Sequence, residues 1–180
     1  MIMTKETAVF GGGCFWCTEA IFLRLKGVIS AVPGYAGGTV DNPSYDQVSM
    51  GNTNHAEVVK IEFDSEVLTY EELLNVFFHT HDPTTLNKQG ADEGTQYRSA
   101  VFYSSDEQKK LAEIFIKKLE ESKEFKDPIV TTLESLTKFY EAEDYHKNYF
   151  ETHKNAPYCQ IVIAPKVHKL EDLYKEKLKG

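Results

Sequence analysis

The chain has 180 residues, of which 41% are apolar, so it is long enough to bury one sizeable core, and a single domain over residues 1–180 is expected. Its 28 acidic and 20 basic side chains give a formal charge of -8. This charge opposes nucleic-acid phosphates and anionic lipid surfaces, so neither nucleic acid nor a membrane is an expected partner.

The N-terminus carries one lysine and an apolar run that glycine interrupts, which is too short for a signal peptide. An intracellular, cytoplasmic protein is therefore expected. In such a reducing compartment, the three cysteines favour reactive, metal-binding or incidental roles over a disulfide framework.

Strand and helix patterns alternate along the first half of the chain. TAVF (7–10) predicts a short strand that runs into glycines, and CTEAIFLRL (17–25) predicts a helix. EVVKIEF (57–63) alternates as a half-buried strand does, and a Thr-x-x-Glu capping box opens a helix over 69–80.

The second half continues the alternation. A second capping box, at Ser105 and Gln108, opens a helix that runs to residue 122. SAVFY (99–103) and PIVTTLE (128–134) predict strands, and VHKLEDLYKEKL (167–178) predicts a C-terminal helix. Strands interleaved with helices, without a repeated crossover unit, favour an α+β two-layer domain.

Two long segments, 30–57 and 79–99, show neither the helical nor the strand periodicity and are rich in Gly, Asn, Asp and Thr. Structureless runs of this length inside a compact domain are usually functional or disordered. We expect them to be loops that form the walls of a functional site.

The sequence GGGCFWC places Cys14 and Cys17 three residues apart. A zinc site is disfavoured, because it needs about four ligands and Cys159 has no paired partner. Burial of the cysteines as small hydrophobes stays an alternative. A strand, a glycine turn and a helix start predict that Cys14 lies at the positive end of a helix, which would lower the pKa of its thiol and make it a nucleophile.

A general acid is predicted from strand parity. The period of two places Glu57 on the same face as the apolar Val59 and Ile61. Burial there would raise the pKa of the carboxyl into the useful range for proton donation. The alternative, a strand that starts at residue 58 with Glu57 in solvent, stays open. Tyr45 and Tyr97, in the two irregular segments, are either site residues or ordinary packed tyrosines.

Five motifs occur in order between residues 9 and 159: GCFWC, GYAGGTVDNPSY, NHAEVV, HDPTTLNKQGADEGTQYRSAVFY and YEAEDYHKNYF. Together they resemble the motifs of the peptide methionine-S-sulfoxide reductases. The family more often has GCFWG, without a cysteine at position 17. Asn54, Lys88 and Ala91 stand where Gly, Arg and Asn are common, and none of these departures removes a catalytic group.

The resemblance implies a mechanism. Cys14 would attack the sulfoxide sulfur, and Glu57, held protonated, would donate its proton to the sulfoxide oxygen. The hydroxyl groups of Tyr45 and Tyr97 would hold that oxygen, and Asp92 would organise the pocket. The resemblance also implies an elaborated ferredoxin-like α/β sandwich.

Phe15 and Trp16 would form the apolar wall that takes the substrate's methyl group. The resemblance implies no bound metal or organic cofactor. Substrates would be free and protein-bound methionine sulfoxide, in the repair of oxidative damage. Thioredoxin, or dithiothreitol in vitro, would be the external reductant, and the chain would act as a monomer.

Two residues, Cys17 and Cys159, are candidates for the cysteine that resolves the Cys14 sulfenic acid. Cys17 lies one helical turn from Cys14, where a bridge needs little movement, and is our favoured first resolver. Cys159 stands where many family members place a mobile resolving cysteine, but its neighbours at 161–163 predict a packed strand. Cys159 would then receive the disulfide by exchange or resolve directly.

Two other classes of protein remain as alternatives. A general dithiol-disulfide oxidoreductase would explain the Cys-x-x-Cys spacing, but it would leave the buried acid and the tyrosines without a task. A non-catalytic binding module would explain the aromatic loops, but it would need no nucleophile at a helix start.

Overall fold

The computed structural model of the chain describes residues 2–180, as eight strands and six helices in these bounds. The strands are β1 (Lys5–Gly12), β2 (Val28–Ala36), β3 (Ala56–Asp64), β4 (Lys88–Gln89), β5 (Asp92–Glu93), β6 (Ser99–Tyr103), β7 (Thr132–Ser135) and β8 (Phe139–Glu141). The helices are α1 (Phe15–Phe22), α2 (Tyr45–Ser49), α3 (Tyr70–Thr80), α4 (Asp106–Ser122), α5 (Tyr149–Thr152) and α6 (Ala164–Tyr174).

Six strands form one sheet in the order β7-β6-β1-β3-β2-β8, and β4 and β5 form a separate hairpin. The central strand β1 pairs antiparallel with β3 and β6, while β7 joins the edge in parallel with β6. The predicted mixture of sheet and helix layers is confirmed. The ferredoxin-like label stays a prediction, for which the antiparallel order β6-β1-β3-β2 is the supporting observation.

The main core lies between the helices and one face of the sheet. Fully buried aromatic rings from β1, α1 and α3 meet there, and Phe10 stacks on Phe77 with ring centroids 4.8 Å apart. A smaller apolar cluster around Val58 and Phe102 covers the other face. Apolar residues therefore cover both faces of the central strands. A polar side chain on either face is removed from solvent.

The helix starts follow their capping signals. The Thr69 side chain accepts a hydrogen bond from the Glu72 N–H, and the Glu72 carboxylate accepts one from the Thr69 N–H, so the predicted capping box is complete. At α4, Ser105 caps the helix as predicted, but the Gln108 side chain accepts from the Ser104 N–H instead of the Ser105 N–H. Among the described residues, no helix combines the length and apolar character needed to cross a bilayer.

The prediction of two long irregular segments is wrong in part. Residues 30–36 belong to β2, and a complete capping box between Ser44 and Gln47 opens α2. Residues 79–80 end α3, and the remainder of the second segment holds the β4-β5 hairpin and a 3-10 turn at Thr95–Tyr97. These loops are shorter and more ordered than their composition indicates.

The C-terminal region also differs from its prediction. The strand expected at residues 161–163 is wrong, because Cys159–Ile163 forms a π-helical turn that continues directly into α6. The predicted burial of Cys159 is confirmed, since its exposed fraction is 0%. The last helix thus begins earlier than its apolar pattern showed, and β7 begins at Thr132 instead of residue 128.

Candidate active site

The cysteine motif lies where β1 ends and α1 begins. Gly13 has a φ of +92°, and a Cβ there would lie 2.6 Å from the Gln89 side chain, so the turn requires glycine. Cys14 follows as the N-cap residue of α1, as the sequence predicts, and only 7% of it is exposed. The turn delivers Cys14 to the edge of the core beside the start of β3.

Glu57 is the buried carboxylate that strand parity predicts. It lies on β3 with an exposed fraction of 1%, so the alternative of a solvated side chain is wrong. Its Oε1 accepts a hydrogen bond of 3.2 Å from the Phe15 N–H, while its buried Oε2 has no hydrogen-bond partner among the described residues. Burial raises the pKa of Glu57 to about 8, so the carboxyl carries a proton at neutral pH.

The thiols of Cys14 and Cys17 shift each other's pKa. Burial raises the pKa of Cys14, and the neighbouring Cys14 thiol lowers the pKa of Cys17. The prediction that the helix start lowers the pKa of Cys14 is therefore wrong. The Cys14 side chain accepts no capping hydrogen bond, and the N–H of Phe15, the first residue of α1, donates to Glu57.

Tyr45 and Tyr97 lie on different elements, and both are near Glu57. Tyr45 is the first residue of α2, and Tyr97 ends the 3-10 turn before β6. Both are half-buried, and the nearby charge of Glu57 adds to burial in raising the pKa of both hydroxyls, with that of Tyr45 reaching about 12. Two neutral hydroxyl donors therefore stand near the protonated carboxyl.

Asp92 lies on the β5 side of the short hairpin and accepts a hydrogen bond of 2.7 Å from the Tyr158 hydroxyl. Tyr158 also approaches both sulfurs of the cysteine pair, and it immediately precedes Cys159. The predicted site residues Asp92 and Cys159 are thus joined to the nucleophile through a tyrosine to which sequence reasoning gave no role.

Trp16 and Phe15 form the aromatic side of the site. The Trp16 ring stacks on Tyr149, with centroids 3.7 Å apart and planes 7° apart, and its Nε1 donates to Nδ1 of His146 at 3.0 Å. Phe15 is fully buried, with its ring 4.9 Å from that of His146 and 6.3 Å from that of Tyr45. A methyl-binding role for Phe15 and Trp16 stays a prediction.

The segment 143–149 supplies functional neighbours that sequence reasoning missed. The Glu143 carboxylate accepts hydrogen bonds of 2.9 Å from the Tyr35 hydroxyl and from the Tyr45 N–H, so it fixes the start of α2. His146 is fully buried between aromatic rings. The sequence signal was present, since this short stretch concentrates aromatic and acidic residues.

The loop that precedes Glu57 explains one departure from the family pattern. Asn54 has a φ of +60°, a conformation that glycine and asparagine adopt with the least strain. Its carbonyl oxygen and that of Thr95 both accept from Nη1 of Arg98 at 3.0 Å. Arg98 therefore holds together the two loops that carry Glu57 and Tyr97.

Within residues 2–180, no group of three or more His, Cys, Asp or Glu side chains is arranged to hold a metal ion. The three cysteines are free thiols, and all are buried.

A buried pair of thiols beside a protonated carboxyl and neutral tyrosine hydroxyls defines a thiol-dependent oxidoreductase. Residues 6–178 match the family model described as peptide methionine sulfoxide reductase. A relative of that name from Saccharolobus solfataricus is 53% identical over 174 residues, 97% of each chain, and one from Sulfolobus acidocaldarius is 55% identical over 172 residues, 96% of this chain and 97% of that one.

Among solved structures, Mxr1 from Saccharomyces cerevisiae in reduced form is similar with a TM-score of 0.79 and 33% identity, over 86% of this chain and 89% of that one. The chain belongs to the peptide methionine sulfoxide reductase family. Its activity is that of a peptide-methionine (S)-S-oxide reductase, the thiol-dependent conversion of methionine sulfoxide to methionine.

The raised pKa of Glu57 predicts a pH-dependent stability. Between about pH 5 and pH 8 the unfolded carboxyl is ionised while the folded one keeps its proton, so the free energy of unfolding falls as pH rises. The Glu57→Gln variant does not titrate at this position. The free energy of unfolding of the variant minus that of the wild type should therefore increase by about 1.4 kcal/mol for each unit of rising pH across this window.

Urea unfolding of both proteins at pH 5, 6, 7 and 8 measures the difference. Other titrating groups are shared by the two proteins and cancel. A constant difference across the four pH values would show that Glu57 is ionised in the folded protein.

Proposed function

We propose that residues 1–180 form one catalytic domain in which Cys14 is the nucleophile and Glu57 is the general acid. The observation that carries this proposal is the geometry of Glu57. Its Oε1 is occupied by the Phe15 N–H, one residue from Cys14, while the buried Oε2 has no partner. A carboxyl with a pKa of about 8 holds its proton there until an acceptor oxygen binds.

In the first step the Cys14 sulfur attacks the sulfoxide sulfur of the substrate. Glu57 donates its proton to the sulfoxide oxygen, and the oxygen is transferred to Cys14 as the substrate S–O bond breaks. The proton released by the Cys14 thiol returns to Glu57. The substrate sulfur is reduced to that of methionine, and the Cys14 sulfur is oxidised to a sulfenic acid.

The remaining site residues bind the substrate. The hydroxyl groups of Tyr45 and Tyr97 donate to the sulfoxide oxygen, where their raised pKa values keep them protonated. Phe15 and Trp16 take the methyl group against their rings. Asp92 acts through Tyr158, whose hydroxyl it holds beside the cysteine pair.

Cys17 is the first resolving residue in this proposal. Its thiol attacks the Cys14 sulfur, an S–S bond forms, and the sulfenic oxygen leaves as water with the thiol proton. The spacing of one helical turn between the two cysteines and the lowered pKa of Cys17 support this order. Cys159, buried in a helical turn, receives the disulfide by a second exchange.

An external dithiol then restores the thiols, and thioredoxin is the proposed reductant. Mxr1 from Saccharomyces cerevisiae has been solved in complex with Trx2, at a TM-score of 0.55 and 24% identity to this chain. Dithiothreitol supplies the same chemistry in vitro. Every step is accounted for by side-chain thiols and one carboxyl, without a bound cofactor in the scheme.

The reaction is tested first at the nucleophile. Cys14→Ser should abolish conversion of dabsyl-methionine sulfoxide with dithiothreitol, because a serine hydroxyl has no comparable nucleophilicity at neutral pH. Cys17→Ser is the matched control, and it should still form about one methionine per enzyme in a single turnover. Full turnover by Cys14→Ser with a normal circular dichroism spectrum would remove Cys14 from this role.

The acid is tested separately. Glu57→Gln should slow single-turnover formation of methionine by about 100-fold, the usual contribution of a positioned general acid. The amide can still accept from the Phe15 N–H, so the start of α1 should be unchanged. If only recycling by the reductant is slowed, the proton comes from another group.

The order of thiol exchange is tested by mapping disulfides. After reaction with substrate in the absence of reductant, wild-type protein quenched early should contain a Cys14–Cys17 bridge, followed by bridges to Cys159. Peptide mass spectrometry of the wild type, Cys17→Ser and Cys159→Ser distinguishes the steps. A direct Cys14–Cys159 bridge that forms equally fast without Cys17 would contradict the proposed order.

A further inference from the structure

Glu19 is a buried acidic side chain to which the reaction scheme gives no task. It lies on α1, one turn beyond Trp16, with an exposed fraction of 2%. Burial raises its pKa to about 7. A buried carboxyl is costly unless polar groups face it, so its partners indicate what it does.

The partners of Glu19 are the backbone groups that open α5. The Asn148 N–H donates to Oε2 of Glu19 at 2.9 Å, and the Tyr149 N–H faces the same carboxylate. Asn148 is the N-cap residue of α5 with a φ of +55°, and its own side chain makes no capping hydrogen bond. Glu19, on a different helix, thus accepts a free N–H at the start of α5.

The segment held in this way carries the side chains that fix Trp16. Tyr149 stacks on the Trp16 ring, and His146 accepts the Trp16 Nε1–H. Both lie within two residues of Asn148. A shift of the backbone at Asn148 would therefore move both contacts of the Trp16 ring at once.

We propose that Glu19 is a positioning residue for substrate binding. By accepting the Asn148 N–H, with the Tyr149 N–H facing the same carboxylate, it holds the segment that orients Trp16 in the methyl-binding wall. This inference rests on the proposed function, since it assigns Trp16 to the substrate. Glu19 itself touches no reacting atom.

A second link joins the same segment to the turn that follows α1, and it provides a control. Arg24 pairs with Glu151 near the surface, where the two side chains are 23% and 36% exposed. Exposed ion pairs contribute little to stability. Glu151→Gln therefore removes a negative charge from α5 while it leaves the buried Glu19 contacts intact.

The experiment compares Glu19→Met, Glu19→Gln and Glu151→Gln. Methionine is similar in length to glutamate but offers no oxygen acceptor, whereas glutamine keeps one. Trp16 is the only tryptophan of the chain, so its fluorescence reports its environment without interference. Steady-state kinetics with dabsyl-methionine sulfoxide and saturating dithiothreitol give KM and kcat separately.

We expect Glu19→Met to raise KM by about tenfold with a smaller change in kcat, as for the loss of a hydrogen bond to a charged group. Its Trp16 emission should shift to the red, and acrylamide should quench it more strongly. Glu19→Gln should raise KM by about threefold, because one N–H loses its acceptor, and its Trp16 emission should change in the same direction. Glu151→Gln should match the wild type.

Wild-type KM and wild-type Trp16 emission in folded Glu19→Met would overturn the inference. If that variant does not fold, the same two wild-type values in Glu19→Gln would overturn it. A KM increase in Glu151→Gln as large as in Glu19→Met would also contradict it, by showing that any loosening of α5 suffices. Failure of the proposed function is a separate outcome, visible as a wild-type protein that does not reduce the sulfoxide.

Discussion

One hydrogen bond, from the Phe15 N–H to Oε1 of Glu57, joins the first turn of α1 to the buried strand β3. Burial of the Cys14 thiol beside these two elements raises its pKa, and the nearby charge of Glu57 adds to the rise. The hydrogen bond leaves Oε2 of Glu57 as the proton-bearing oxygen. The positions of the nucleophile and the acid are therefore set by the same contact.

Local signals predicted much of the fold. The capping box at Thr69 and the parity of β3 act within a few residues, so the sequence was sufficient to predict α3 and the burial of Glu57. Residues 30–36 were not recognised as a strand because Pro33 and Gly34 disguise the pattern. Pairing of β2 with β3 along nearly its whole length stabilises that strand against its composition.

The candidate site also contains residues that the sequence predicts and residues that it does not. Cys14 and Glu57 could be found from motif and period, whereas Tyr158, His146 and Glu19 are defined by contacts between distant parts of the chain, such as Asn148 with Glu19. The pKa of Cys14 was predicted in the wrong direction because a position at a helix start does not say how deeply the thiol is buried. That question is decided by tertiary packing.

Burial of all three cysteines has a consequence for how the protein withstands peroxide. A thiol that has become a sulfenic acid is lost for repair if a second oxidant molecule converts it to a sulfinic acid. In the proposed mechanism, the 7% exposure of Cys14 and the neighbouring Cys17 thiol favour intramolecular condensation over a second encounter with oxidant. A Cys14 sulfenic acid formed in this way would be shielded from irreversible overoxidation under the conditions in which methionine sulfoxide accumulates.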